Sequence, residues 1–206
     1  MKFIVVNTLQ LNMKKISIND HLINIIAVSI AYIFSMLFVR EIVVPLQKSY
    51  LPAITTFAAL IFPVHGVRVL SAWAFGKWSI AYLFIANAAM YFILTPDSDF
   101  TQKSLYAWFL VSTVCWFSFE LFRVCGINLY SQESIIKNST WRNLVLIAFV
   151  SSVFNSVGHN IIFAGDILPE NSLKTMLAFL IGDTLGTVVC LIALMFLFRV
   201  LRKFGV

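Results

Sequence analysis

His65 and Arg68 stand three residues apart in the stretch "IFPVHGVRVLSAWAFG", residues 61–76. On a helix that spacing puts an imidazole and a guanidinium on one face. Both fall in an apolar run, where an ionisable side chain costs about 2.5–3.5 kcal/mol at mid-helix on insertion scales. Such groups turn inward and find partners, as a packing salt bridge or as part of a ligand or ion site. Four formally charged residues lie in apolar segments: Arg68, Glu120, Arg123 and Asp183. Two are positive and two negative, so an interior network of them is neutral. Glu120 and Arg123 are i,i+3 neighbours that can pair locally and snorkel to water. Arg68 and Asp183 reach water less easily. Arg68 lies roughly eight residues from its segment end, about 12 Å at helical rise, and Asp183 about as deep in the last segment. They are expected to approach each other or share a polar cavity.

A second polar constellation is a stripe in "AFVSSVFNSVGHNIIFAGD". Ser151, Asn155 and His159 follow i, i+4, i+8, and Ser152, Ser156 and Asn160 repeat the spacing one step around. The stripe serves interhelical hydrogen bonding or lines a hydrated pocket. His159 is of the type that titrates near neutral pH. In "IGDTLGTVV", Gly182 and Gly186 form a small-xxx-small pair that holds Asp183 against another helix. The candidate ligand-binding or interior polar residues are therefore His65, Arg68, Glu120, Asn155, His159 and Asp183. The helix-break and packing residues are Pro63, Gly66, Gly76, Gly182 and Gly186.

These groups need a bundle to position them. The chain has 206 residues, 60% hydrophobic and 12% charged, with mean hydropathy +0.90. A soluble domain is about a quarter charged, so lipid must solvate much of this one. The reading is an all-α polytopic membrane helix bundle, one domain over 1–206, with 1–20 a short cytoplasmic N-terminal segment. Six apolar segments are expected, at 22–44, 52–76, 78–95, 104–125, 142–164 and 173–198. The second contains Pro63 and Gly66, which predict a break near mid-membrane. Freed backbone groups at such a break must find partners or line a cavity, as at transporter and receptor binding sites.

With six spans both termini share a side. That side collects Lys2, Lys14, Lys15, Lys77, Lys137, Arg142, Arg199, Arg202 and Lys203, against Arg40, Lys48, Lys103 and Lys174 opposite. The positive-inside rule then puts both termini in the cytoplasm of an inner (plasma) membrane. The net charge of +6 reads as topology signal, not as a nucleic-acid surface. Trp73, Trp78, Trp108 and Trp141 sit near segment ends, as interfacial anchors do. Cys115, Cys125 and Cys190 show no paired spacing, and His21, His65 and His159 lie in different segments, so no metal site or cofactor is expected. No phosphate loop or nucleophile elbow is present. No cleaved signal or output domain is expected either.

Two patches resemble the first membrane-associated sensor (MASE) family. One is "FPVHGVRVLSAWAFGKWSIAYLF", with Pro63, Gly66 and Gly76 at the family's proline–glycine spacing. The other ends "FLIGDTLGTVVCLIALMFLFR", where Gly182, Asp183 and Gly186 match its Gly-Asp-x-x-Gly helix. The resemblance covers roughly residues 50–200. It implies an integral membrane sensory domain, here without an output module and signalling through a membrane or cytoplasmic partner. His65 and Arg68 depart from the family pattern, which is expected to be apolar or small there. Six short helices also suit a transport component, a small substrate-binding membrane subunit. A remote alternative is an intramembrane enzyme, because Cys125, Arg142 and His159 faintly resemble the cysteine, arginine and histidine of exosortase-like transpeptidases.

Overall fold

A computed structural model of the protein describes residues 17–50, 59–94, 100–130, 140–164 and 169–204, with side chains of the last stretch described from Ser172. The elements among them are all helices: α1 (Ile18–Phe38), a π-helical turn (Val39–Val43), α2 (Val44–Tyr50), α3 (Pro63–Phe75), α4 (Trp78–Leu94), α5 (Gln102–Val124), α6 (Thr140–Ile162) and α7 (Pro169–Lys203). Among the described residues four helical stretches are long and apolar enough to cross a membrane: Ile18–Tyr50, Gln102–Val124, Thr140–Ile162 and Ser172–Lys203. The shortest of these has 23 residues, about 35 Å at helical rise against a hydrocarbon core of about 30 Å. Their outward faces carry Ile30, Phe34, Phe109, Phe149 and Met195, all exposed. This is a membrane-type helix bundle with its outer surface in contact with lipid.

The first helix starts earlier and ends later than the apolar run. Ser17 caps it in a reciprocal box: its hydroxyl accepts from Asn19 N–H, and Asp20 accepts from Ser17 N–H at 3.0 Å. The first apolar segment, expected over 22–44, does not stop at the proline that follows it, Pro45. Its ring crowds the carbonyl one turn back. The π turn just ahead, where Val44 N–H bonds to Val39 O, widens the helix and lets it continue to Tyr50.

α3 is the unusual element. Pro63 occupies its first turn, where the absent N–H costs nothing. The helix runs straight through Gly66 and stops at Gly76, whose φ of +54° is strained for any residue with a Cβ. Gly66 is a contact point within the helix, since a Cβ there would fall 2.5 Å from Cys190 Cβ and 3.1 Å from Thr187 Cα of α7. At 13 residues, about 19 Å, α3 is little more than half a membrane deep. The residues before it, 59–62, are not helical and cross α7, where Phe62 N–H donates to Gly182 O at 2.9 Å. A Cβ on Gly182 would collide with Ala59 O, and one on Gly186 with the backbone of Phe62. The Gly182–Gly186 track thus receives a non-helical chain, not another helix. Residues 51–58 of the expected broken segment lie outside the described residues.

Contacts fix the helix directions. His21 meets Trp78 and Tyr82, so the start of α1 lies beside the α3–α4 turn. At the other end Arg40 donates to Leu94 O. α5 runs back along α4 through Tyr91, Phe100 and Trp108. α6 opposes α5 through Phe154 on Phe117, and α7 opposes α6 through Phe179 on His159. Ser17, Lys77, Arg123 and Arg199 therefore gather at one end of the bundle.

The glycine track yields a paired prediction. In Gly186→Ala the obstruction is backbone, so stability falls by roughly 1–3 kcal/mol. In Gly158→Ala the obstruction is the tip of the Leu110 side chain, which can rotate, so the loss is smaller and offset by helix propensity of about 1 kcal/mol. Thermal unfolding in neutral detergent measures both, and equal losses would contradict this seating of residues 59–62.

Candidate functional site

His65 leaves the first turn of α3 and is fully buried between α6 and α7. Its Nε2 lies 2.9 Å from Ser151 Oγ and 3.3 Å from Ala148 O. A carbonyl only accepts, so Nε2 carries a proton. Nδ1 faces Asp183 Oδ2 at 3.4 Å. That contact is longer than a good hydrogen bond, and Nδ1 has no hydrogen-bond partner among the described residues. The same Oδ2 accepts from Asn155 Nδ2 at 2.9 Å and from Ser152 Oγ at 3.2 Å. Ser152 also reaches Phe179 O at 3.2 Å. The stripe on α6 is thus a set of donors and acceptors for one imidazole and one carboxylate.

Arg68 sits one turn further along α3 and turns the other way, toward α1. It is 5% exposed. One terminal nitrogen donates to Tyr32 Oη at 2.7 Å, and Tyr32 donates onward to Asn87 Oδ1 at 2.8 Å. Asn87 closes the chain on Leu83 O at 2.8 Å. The guanidinium lies over the Tyr32 and Phe62 rings, at 5.5 and 5.6 Å, a favourable cation–π arrangement. Among the described residues no carboxylate comes within 4.0 Å of Arg68, and its Nε has no hydrogen-bond partner. Arg68 and Asp183 do not pair directly. His65 stands against Asp183 instead.

Four of the six residues expected in the interior network share this region: His65, Arg68, Asn155 and Asp183. Glu120 is elsewhere. It lies near the end of α5, accepting from Tyr130 Oη at 2.7 Å and from Arg123 at 2.5 Å. Only about one turn separates it from the helix end at Val124, so water is within reach of its pair. With Gly76, Lys77 and Trp116 these residues line a pocket of about 420 Å³. His159 stays on its own helix, donating from Nδ1 to Asn155 O at 2.9 Å and packing on Phe179. Tyr32 and Asn87 were not among the expected site residues. Their signal was present: each is a hydrogen-bonding side chain in mid-span of an apolar helix. Cys125, Arg142 and His159 do not meet. Arg142 and His159 are at opposite ends of α6, about 25 Å apart at helical rise, and Cys125 is exposed beyond α5.

The fold and site define an all-helical membrane protein with an ionisable cluster buried among its helices. Comparison of the chain with protein-family profiles, curated proteins and solved structures finds no match.

Removing one partner of a buried charged pair costs about 3–5 kcal/mol, so Asp183→Ala is expected to lose about that much in thermal or denaturant unfolding. Asp183→Asn retains an oxygen for Asn155 and Ser152 and should lose markedly less; equal losses would rule out the donor set. Outside the membrane-spanning helices, partial burial and the bond to Glu120 push the Tyr130 phenol up from its ordinary range. A raised value means the folded state favours the neutral phenol. Its contribution is complete below the unfolded tyrosine pKa of about 10 and fades as pH rises toward the raised value. The stability advantage of wild type over Tyr130→Phe should therefore be flat up to about pH 10 and shrink above it.

Proposed function

We propose that the protein is an integral membrane sensory module that binds a small anion, a carboxylate or a phosphate, at Arg68. The observation that carries this reading is the state of Arg68: buried, with an unpartnered Nε and, among the described residues, no carboxylate within ion-pair distance. Among the described residues no carboxylate touches the guanidinium directly, and an anion beside it would supply that direct partner. α3 is suited to report such binding. Its His65 side reaches α6 and α7, and its Arg68 side reaches α1 and α4. A shift of this half-length helix would be felt by all four.

In this reading the segment 52–76 makes one interrupted crossing, giving six crossings in all, with both termini on the cytoplasmic side of the inner membrane. The basic residues Lys77, Arg142, Arg199, Arg202 and Lys203 at one end support that orientation. The residues that carry the resemblance to the MASE family lie close together. Pro63, Gly66, Gly182, Asp183 and Gly186 all belong to the crossing of α3 with α7, and Gly76 ends α3. A second reading, a substrate-binding transport subunit, rests on the same interrupted segment. Co-purification with an energising ATPase would favour it.

The test is thermal stabilisation of the purified protein by inorganic phosphate, acetate and succinate, at ionic strength matched with chloride. At least one anion should raise the melting temperature saturably in wild type and not in Arg68→Met. If none does, or if the variant responds equally, the anion reading fails.

A further inference from the structure

α3 packs against both α1 and α7 and separates them. The result is a groove of about 650 Å³, floored by α3 and walled by α1 and α7. Its walls carry the exposed alanines Ala27, Ala31 and Ala193, and its floor on α3 combines exposed Ala74 with buried Val67 and Ser71. Larger residues at those four positions would fill the space. The groove follows α3 from Pro63 to Phe75, about 18 Å. That is close to the depth of one leaflet, about 15 Å, and well short of the full hydrocarbon core. Beyond Pro63 the chain turns aside across α7. A spanning helix therefore overshoots this groove, while a single acyl chain fits its length.

The other end is basic. Lys77 follows the lining residue Phe75 by two positions, and Arg199 follows the lining residue Leu197 by two. Both are exposed, and among the described residues neither pairs with a carboxylate. Lys77 lies over Trp78 at 6.0 Å, an interfacial anchor at headgroup level.

We propose that this groove binds an anionic phospholipid from the leaflet at the Lys77 end, with one acyl chain along α3 and the phosphate between Lys77 and Arg199. The site is separate from Arg68 and does not depend on anion binding there. Lipid titrations of the delipidated protein in neutral detergent, read by native mass spectrometry and melting temperature, test it. Dioleoylphosphatidylglycerol should bind one to one and roughly tenfold more tightly than dioleoylphosphatidylcholine. The surface variant Lys77→Gln/Arg199→Gln should erase that preference while retaining the weaker binding. Ala31→Trp and Ala193→Trp, placed on opposite exposed walls, should each abolish binding of both lipids, whereas Arg68→Met should leave it intact. Equal affinities for the two lipids in wild type, or wild-type binding in both tryptophan variants, would overturn the proposal. So would tryptophan variants that dissociate a dimer without changing lipid stoichiometry, because the occupant would then be a second copy of the chain.

Discussion

A backbone within a bilayer has no water to bond to, and every N–H and C=O must be satisfied by the protein. That constraint governs the arrangement around α3. A helix that starts halfway through a bundle brings non-helical residues to a depth where unpaired backbone is costly. Here the non-helical chain at 59–62 is laid directly on α7, and the Phe62 N–H finds the Gly182 carbonyl. Such an approach requires that α7 have no side chains at the crossing, which Gly182 and Gly186 provide. Pro63 then starts α3 in the only direction left to it, and Gly66 keeps it in contact with Thr187 and Cys190.

The polar cluster follows from the same placement. Once α3 begins on α7, the side chain at 65 faces α6 and α7 and the side chain at 68 faces α1. An imidazole suits the first position because it has two nitrogens to bridge Ser151 and Asp183. An arginine suits the second because its planar group both stacks on Tyr32 and Phe62 and donates to Tyr32. The two side chains work as opposite arms of one short helix. Among the described residues no group of three or more His, Cys, Asp or Glu side chains is placed to hold a metal ion.

Much of this was legible in the sequence, and the parts that were not have physical reasons. Apolar length and charge scarcity located the long helices. The polar stripe on α6 and the buried position of Asp183 could be read from spacing alone. The pairing of His65 with Asp183 could not, because periodicity gives a face of a helix and not the helix opposite. The Gly182–Gly186 pair was recognisable as a close-contact track, but a track of this kind does not say whether a helix or an extended chain will occupy it. Glu120 resembled an interior charge by its place in an apolar run; its local partners Arg123 and Tyr130 keep it at the helix end instead. Pro45 resembled a stop signal, and the π turn before it removes the clash that would have made it one.

The central claim is that α3 is fastened to α6 and α7 through the His65–Asp183 couple. A double-mutant cycle with His65→Ala, Asp183→Ala and the double variant tests it most directly, with unfolding free energies measured in one detergent. Each single variant strands the other member in a low-dielectric interior, so the double variant should be more stable than the sum of the single losses implies, by on the order of 2 kcal/mol. Additivity to within about 0.5 kcal/mol would show that the two side chains do not act as a unit and would contradict the account.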